Sequence, residues 1–268
     1  MELQRWTEQA QETARRAGHV IRAAVQTGGT SVRYKGRFNP VTDVDLECQR
    51  LIRESLLTLN PDHDFLGEEG DAKGSGSDFL WIVDPLDGTK NFAHGYPHFA
   101  VSIGLEYQGK MVVGVVHDPM RLETFTTWRG GGAYWNGKVI QVSSTQELER
   151  ALLVTGFGGA TRLDCDIFWA LEEPSEGVRR DGSAALNLCY LACGRLDAYF
   201  QLNLWPWDVA AGSLLVEEAQ GMITNYSGAR FEVRGRQLLA SNVHLHAQMI
   251  SRLAPFVDQV RLRSESCR

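Results

Sequence analysis

Acidic side chains stand at three points of the sequence where the surrounding pattern argues against simple solvation. Gly67-Glu68-Glu69 closes a short apolar segment, Phe65-Leu66. Trp81-Ile82-Val83-Asp84-Pro85-Leu86-Asp87-Gly88-Thr89 runs a buried-looking strand straight into two aspartates. Trp205-Pro206-Trp207-Asp208 sets one more acid at the start of an apolar helix. Taken singly, each has an ordinary explanation: Glu68-Glu69 as a solvated turn, Asp84-Pro85 and Asp87-Gly88 as turn dipeptides, Asp208 as a helix N-cap. Their combination points elsewhere. An unpaired charge on Asp84 at the end of an apolar strand is costly to bury. Asp87, three residues on after a proline-fixed turn, can point back to the same place. Hard cations such as Mg2+ take oxygen ligands in near-octahedral geometry, and carboxylates from separate segments suit them. Two or three such ions can activate water, clamp a phosphate and stabilise a leaving oxygen. Gly88-Thr89 then opens a short helix whose free N–H groups face that phosphate, and glycine lets the backbone come close. A calcium loop is excluded, because residues 84–95 lack alternating oxygen ligands and the twelfth is Gly95 rather than Glu.

Positioning such a cluster takes a layered scaffold, and the periodicities supply one. Leu3, Trp6, Ala10, Ala14, Ala17, Val20, Ile21 and Ala24 fall at helical spacing over residues 3–26, and Gly28-Gly29 ends that helix. A second helix is expected after Thr42, stopped by Asn60-Pro61. Phe79–Val83, His98–Glu106, Met111–His117 and Glu123–Thr127 read as strands of a hairpin-built sheet. After residue 150 the chain alternates: strand Ala151–Thr155, helix Ser183–Cys193, strand Asp197–Phe200, helix Asp208–Ala219, strand Met222–Thr224. A strand near Leu238–Ala240 and a closing helix near His244–Leu253 complete it. The helices at 183–193 and 208–219 are apolar nearly all round, which places them between layers. The polar, glycine-rich stretch Asp71–Asp78 reads as a mobile surface loop. The expected organisation is layered α/β with two halves, 1–148 carrying most of the acids and 149–268 carrying Asp208 and the substrate pocket.

The 268 residues suffice for a well-buried core, and 43% hydrophobic with 22% charged residues is an ordinary globular composition. Net charge is −6, from 27 basic and 33 acidic residues, with no basic run. Direct nucleic-acid binding is therefore not expected. The five cysteines form no CxxC pair; Cys189 and Cys193 share one face of an apolar helix as buried thiols. That usage suits a reduced, cytoplasmic protein. The charged N-terminus lacks a signal-peptide core, and no apolar run reaches membrane-spanning length. The seven histidines are scattered without zinc-site spacing.

The segments GEE (67–69), DPLDGTKNF (84–92), GSAA (182–185) and WDVAAG (207–212), in this order and spacing, resemble the inositol monophosphatase family. The resemblance runs over nearly the whole chain, from VTDVD (41–45) to the final strand. It implies an αβαβα five-layer sandwich of the inositol monophosphatase and fructose-bisphosphatase type. It also implies Mg2+-dependent hydrolysis by direct attack of an activated water, with two to three ions, Mn2+ as a substitute, lithium sensitivity and a homodimer. Carried over by residue, Glu68, Asp84 and the Leu86 carbonyl resemble a first metal site, and Asp84, Asp87 and Asp208 a second. Glu68 also serves a third, weaker ion in that pattern. Thr89 is similar to the residue that positions the nucleophilic water with an acid of the VTDVD segment, Asp45 ahead of Asp43. Glu69 would support these ligands from behind. Gly88 and Thr89 would bind phosphate, and Gly182, Ser183 and Ala184 would line the pocket for the organic part. The substrate as a whole would meet Asp87, Gly88, Thr89, Gly182, Ser183, Ala184, Gln201 and Asp208.

Several positions depart from the pattern. Gln201 stands where a glutamate of the family contacts substrate hydroxyls; an amide still hydrogen-bonds them but repels no second anion. Lys90 resembles relatives acting on 3′-phosphoadenosine 5′-phosphate, whereas Asn91-Phe92 returns to the inositol pattern. Gln220 replaces a glycine of the EAGG stretch, read as a surface change. Arg179 and Arg180 suit either recognition of a second phosphate or carboxylate, or plain solvation in a loop or a place in an interface. Inositol 1-phosphate is the leading expected substrate. Fructose 1,6-bisphosphate, 3′-phosphoadenosine 5′-phosphate and NADP(H) are the rivals. A mainly regulatory binding protein on the same fold, as among relatives associated with the RNA-polymerase machinery, is the reading of another class.

Overall fold

Trp6, Ala10, Ala14, Ala17 and Ile21 form the buried stripe of the first helix, and the chain that follows alternates helices with short strands. The computed structural model describes residues 2–28, 31–36, 39–70, 72–157 and 161–266. In chain order the elements are α1 (Glu2–Thr27), β1 (Val32–Gly36), β2 (Asn39–Thr42), α2 (Asp43–Leu59), β3 (Asp64–Gly67), β4 (Ala72–Lys73), β5 (Phe79–Asp87) and α3 (Thr89–Ala93). There follow β6 (Ala100–Tyr107), β7 (Lys110–Asp118), β8 (Glu123–Trp128), β9 (Gly132–Trp135), β10 (Lys138–Ile140), β11 (Leu152–Phe157), α4 (Arg162–Glu172) and β12 (Gly177–Arg179). The last are α5 (Ala184–Ala192), β13 (Ala198–Leu202), α6 (Pro206–Glu218), β14 (Met222–Thr224), β15 (Gln237–Ser241), α7 (His246–Leu253) and α8 (Val257–Ser266).

β3 to β10 make an eight-stranded sheet ordered β10-β9-β8-β7-β6-β5-β3-β4, antiparallel throughout except for the β3–β5 pair. A five-stranded sheet, β12-β11-β13-β15-β14, draws on residues 152–241, and β1 and β2 form a separate hairpin. One core packs α1 and α2 on the first sheet through Ile21, Ile52, Leu56, Trp81 and Val83. Ile82, between those two strand residues, points the other way, onto Ala210 and Leu214 of α6. β5 is thus covered on both faces, which is why it reads as a continuous apolar run. α5 and α6 fill the middle layer against both sheets, and α4 and α7 cover the outer face of the second. The result is the five-layer αβαβα sandwich. The residue-148 boundary falls between β10 and β11, and the two sheets share the α5–α6 layer.

Some expectations need correction. The polar stretch before β5 was expected to be a mobile loop. Asp71 lies outside the described residues, but the rest is tied down: the Asp64 carboxylate accepts from Ser75 N (2.8 Å), Ser75 Oγ (2.7 Å), Gly76 N and Ser77 N (both 3.1 Å). Those donors, Ser75 above all, hold the Asp64 carboxyl below its usual range. β5 does not end at Val83 in a turn; it continues to Asp87 through a bulge. Asp84 faces Ser102 and Asp87 faces Ala100, so two residues, Pro85 and Leu86, oppose one. A regular strand sends residues three apart to opposite faces; the bulge re-aims one of them. β9, β10, α4, β12 and α8 had no expected counterpart, being short, edge-placed or, in α4 and α8, weakly patterned.

Candidate active site

The β5 bulge and the first turn of α6 bring Asp84, Asp87 and Asp208 together, with one oxygen from each lying within 4.8 Å of the others. Each carboxylate is anchored through one oxygen. Asp84 Oδ1 accepts from Leu86 N at 2.9 Å, Asp87 Oδ2 from Ser183 Oγ at 2.5 Å and Ala185 N at 2.8 Å, and Asp208 Oδ2 from Trp205 N at 2.7 Å. Asp208 is therefore no N-cap: it is the third residue of α6 and caps the helix start by reaching back.

Electrostatics make this trio unfavourable without a cation. Burial lifts the Asp87 carboxyl to about 6, although Ser183 and Ala185 pull the other way. Burial, then the charges of Glu68, Asp87 and Asp208, pushes Asp84 well above the usual range. Asp208 is raised for the same reasons, burial first and Asp87 next. An all-oxygen donor set, buried at Asp84 and Asp87, half-buried at Asp208 and self-repelling, fits a hard divalent ion. Glu68 lies outside the 4.8 Å group, yet its charge bears on both Asp84 and Asp208.

Thr89 links this cluster to α2. Its hydroxyl reaches the Leu86 carbonyl at 3.1 Å and Asp45 Oδ1 at 3.2 Å. Asp45 is 1% exposed and also accepts from Thr42 N at 2.8 Å and from the Thr42 hydroxyl, closing the capping box of α2. Burial raises its carboxyl above the ordinary range despite the Thr42 donors. Asp43 points to the surface, where it pairs with Arg33 at 2.7 Å and with Ser31. Of the two VTDVD acids, the structure brings Asp45 to Thr89.

Gly88 sits at φ +95°, and a Cβ there would fall 3.0 Å from the His98 carbonyl oxygen and 3.1 Å from Phe99 Cβ. Only glycine allows this entry into α3. Beside it opens a cavity of about 370 Å³ whose lining includes Asp87, Lys90, Gly182, Ser183, Ala184, Gln201 and Asp208, together with Asn91, Arg180 and Asn187. That volume suits a small molecule. Of the two arginines flagged in the sequence, Arg180 lines the cavity and Arg179 belongs to β12 outside its lining.

Three supporting residues escaped sequence reasoning. Gln49 Oε1 accepts from Glu69 N at 2.9 Å and lies so close over Gly67 that a Cβ there would sit 2.2 Å from it. Its only sequence signal is the spacing of four from Asp45, which puts both on one helix face. Asn91 Nδ2 donates to the His98 and Asp181 carbonyls at 2.8 and 2.7 Å, tying α3 to the 182–185 segment. Tyr199 donates to Gln201 Oε1 at 2.7 Å from a fully buried position. In the sequence Asn91 stood out only as part of the family pattern, without this tethering role, and nothing singled out Tyr199.

A family model described as "Inositol monophosphatase family" matches residues 2–259. The chain is similar to the phosphatase IMPL1, chloroplastic, of Arabidopsis thaliana, with 45% identity over 86% of this chain and 65% of that protein, so it spans just under two thirds of that relative's length. It is 40% identical to the Nus factor SuhB of Pseudomonas aeruginosa over 92% of this chain and 94% of that one. Among solved structures, the inositol monophosphatase of Anabaena (Nostoc) superposes with a TM-score of 0.85 at 36% identity, covering 95% and 97% of the two chains. No helix among the described residues is long and apolar enough to cross a membrane.

Proposed function

The chain belongs to the inositol monophosphatase family and is a phosphoric monoester hydrolase, and from that premise we propose that it is a Mg2+-dependent phosphatase acting on inositol 1-phosphate. The observation that carries the metal dependence is the Asp84, Asp87, Asp208 trio, two of them buried and one half-buried, with its mutual repulsion. Glu68, Asp84 and the Leu86 carbonyl would hold one ion, and Asp84, Asp87 and Asp208 a second, with Glu68 reaching a weaker third. Bound Mg2+ supplies charge compensation for the phosphate and lowers the pKa of water, and Mn2+ would substitute.

The chain's own residues do the rest. Thr89, held between Asp45 and the Leu86 carbonyl, orients the attacking water, and Asp45, its proton affinity raised by burial, takes the proton through the Thr89 hydroxyl. Backbone N–H groups of Gly88 and Thr89, at the uncapped start of α3, would cradle the phosphate. Gly182, Ser183, Ala184 and Gln201 would hold the organic part in the cavity. Ser183 and Ala185 fix the Asp87 carboxylate so that ligand and pocket share one scaffold. By kinship the reading extends to lithium inhibition, homodimeric assembly and a cytoplasmic location.

The test is phosphate release from inositol 1-phosphate by EDTA-stripped protein as Mg2+ is restored. Saturable, Mg2+-dependent release supports the proposal, and metal-independent release would end it. A second reading, a regulatory binding protein, is supported by the similarity to the Nus factor of Pseudomonas aeruginosa. A stable partner retained at wild-type level by an Asp84→Asn variant without turnover would favour it.

A further inference from the structure

One wall of the cavity carries a hydrogen bond whose direction is fixed. Tyr199, fully buried, donates its hydroxyl hydrogen to Gln201 Oε1 at 2.7 Å. The Gln201 amide lies flat over Gly156, where a Cβ would meet Oε1 at 2.1 Å and Nε2 at 2.9 Å. With Oε1 taken up by Tyr199, the Gln201 group left without a hydrogen bond among the described residues is its Nε2 amide NH2, a pure donor. A glutamate in the same place would offer only acceptors and a negative charge.

The neighbouring side chains have the same bias. Arg180 lines the cavity with its guanidinium 4.7 Å from the centre of the Phe157 ring. Stacking of that kind holds the plane while leaving the N–H fork free for bidentate contact with an anion. Lys90 lines the same cavity, and among the described lining residues Asp181 is the one carboxylate outside the acidic trio. Donors and cations thus gather where a substrate's second functional group would lie.

We propose that this wall recognises a second anionic group, phosphate or carboxylate, on the substrate, with Gln201 and Arg180 as specificity-determining residues and Tyr199 as the positioning residue behind Gln201. The inference rests on the phosphatase reading above and narrows its substrate class to phosphate esters carrying another anion. Inositol 1-phosphate would then be a competent substrate without being the best one.

Matched substrates test it: fructose 1-phosphate against fructose 1,6-bisphosphate, and glycerol 2-phosphate against 2-phosphoglycerate. In the wild-type enzyme the second anion is expected to raise kcat/KM by about tenfold or more in at least one pair, as charge-assisted contacts do. The responding pair identifies the group as phosphate or carboxylate. Arg180→Gln and Gln201→Glu are each expected to shrink that ratio about tenfold, through KM rather than kcat. Tyr199→Phe should shrink it as well, without altering the Mg2+ dependence. Equal kcat/KM within both pairs, or a ratio unchanged in both Arg180→Gln and Gln201→Glu, overturns the inference while leaving the phosphatase intact. No Mg2+-dependent release from any of the four, nor from inositol 1-phosphate, overturns the phosphatase reading and this inference with it.

Discussion

Replacing Asp87 with Asn is expected to stabilise the metal-free protein and to abolish its response to Mg2+. Burial lifts the Asp87 carboxyl from its ordinary 3.8 to about 6. At 1.36 kcal/mol per pH unit, that rise corresponds to on the order of 3 kcal/mol of folding free energy lost on ionisation. A carboxyl with a raised folded-state pKa holds its proton more tightly folded than unfolded. Its stabilising effect is complete below pH 3.8, declines from there to about 6, and is gone above that. Near neutral pH the metal-free wild type therefore carries the whole penalty. Asparagine resembles the neutral carboxyl and still accepts from Ser183 Oγ and Ala185 N, so the pocket wall should survive. At about 2–4 °C per kcal/mol for a chain of this order, the melting midpoint in EDTA should rise by about 6–12 °C. Mg2+ should then raise the wild-type midpoint but not that of the variant, and phosphate release should disappear. Thermal melts with and without Mg2+, beside a phosphate assay, read all three. A variant that melts lower in EDTA, or keeps the Mg2+ shift and full turnover, refutes the reasoning.

Gln49→Ala removes the acceptor for Glu69 N–H and the weight over Gly67; Mg2+ affinity by calorimetry should fall about 10–100-fold, and an unchanged affinity would deny Gln49 a role. Asn91→Ala strands two carbonyls, His98 and Asp181; urea unfolding should show a loss of about 1–3 kcal/mol, with KM raised as the 182–185 segment loosens. Gln220 sits at φ +66° just past α6, where Gly221 N bonds Val216 O at 2.8 Å and Gln220 N bonds Glu217 O at 3.1 Å. Gln220→Gly relieves a left-handed residue in this helix-ending motif and should gain about 0.5–1 kcal/mol, net of glycine's entropy, with turnover unchanged.

What the sequence disclosed follows from what leaves a local trace. α2 was legible because its apolar positions begin after Thr42 and stop at Asn60-Pro61, and α6 because its apolar surface runs all round between two sheets. The acids at 84, 87 and 208 stood out by being charged at the ends of apolar runs. Their convergence was readable in outcome, but its cause was not a turn. The bulge at Pro85-Leu86 depends on pairing with β6, a partner the local sequence does not specify. Gln49, Asn91 and Tyr199 act through contacts 20, 90 and 2 residues away, and an uncharged amide or a buried tyrosine announces no such role. Likewise, Asp64 gathers the stretch at 75–77 by a tertiary contact, which composition alone presents as a loose loop.

Diffraction from crystals loaded with Mn2+ in place of Mg2+, recorded for the manganese anomalous signal, tests the metal assignment most directly. The strongest anomalous peak should lie among the carboxylates of Asp84, Asp87 and Asp208, with another beside Glu68 and the Leu86 carbonyl, and Asp208→Asn should empty the first. An enzyme active with Mn2+ whose strongest peak lies away from Asp84, or whose Asp208→Asn variant keeps it, would contradict the site proposed for this phosphatase.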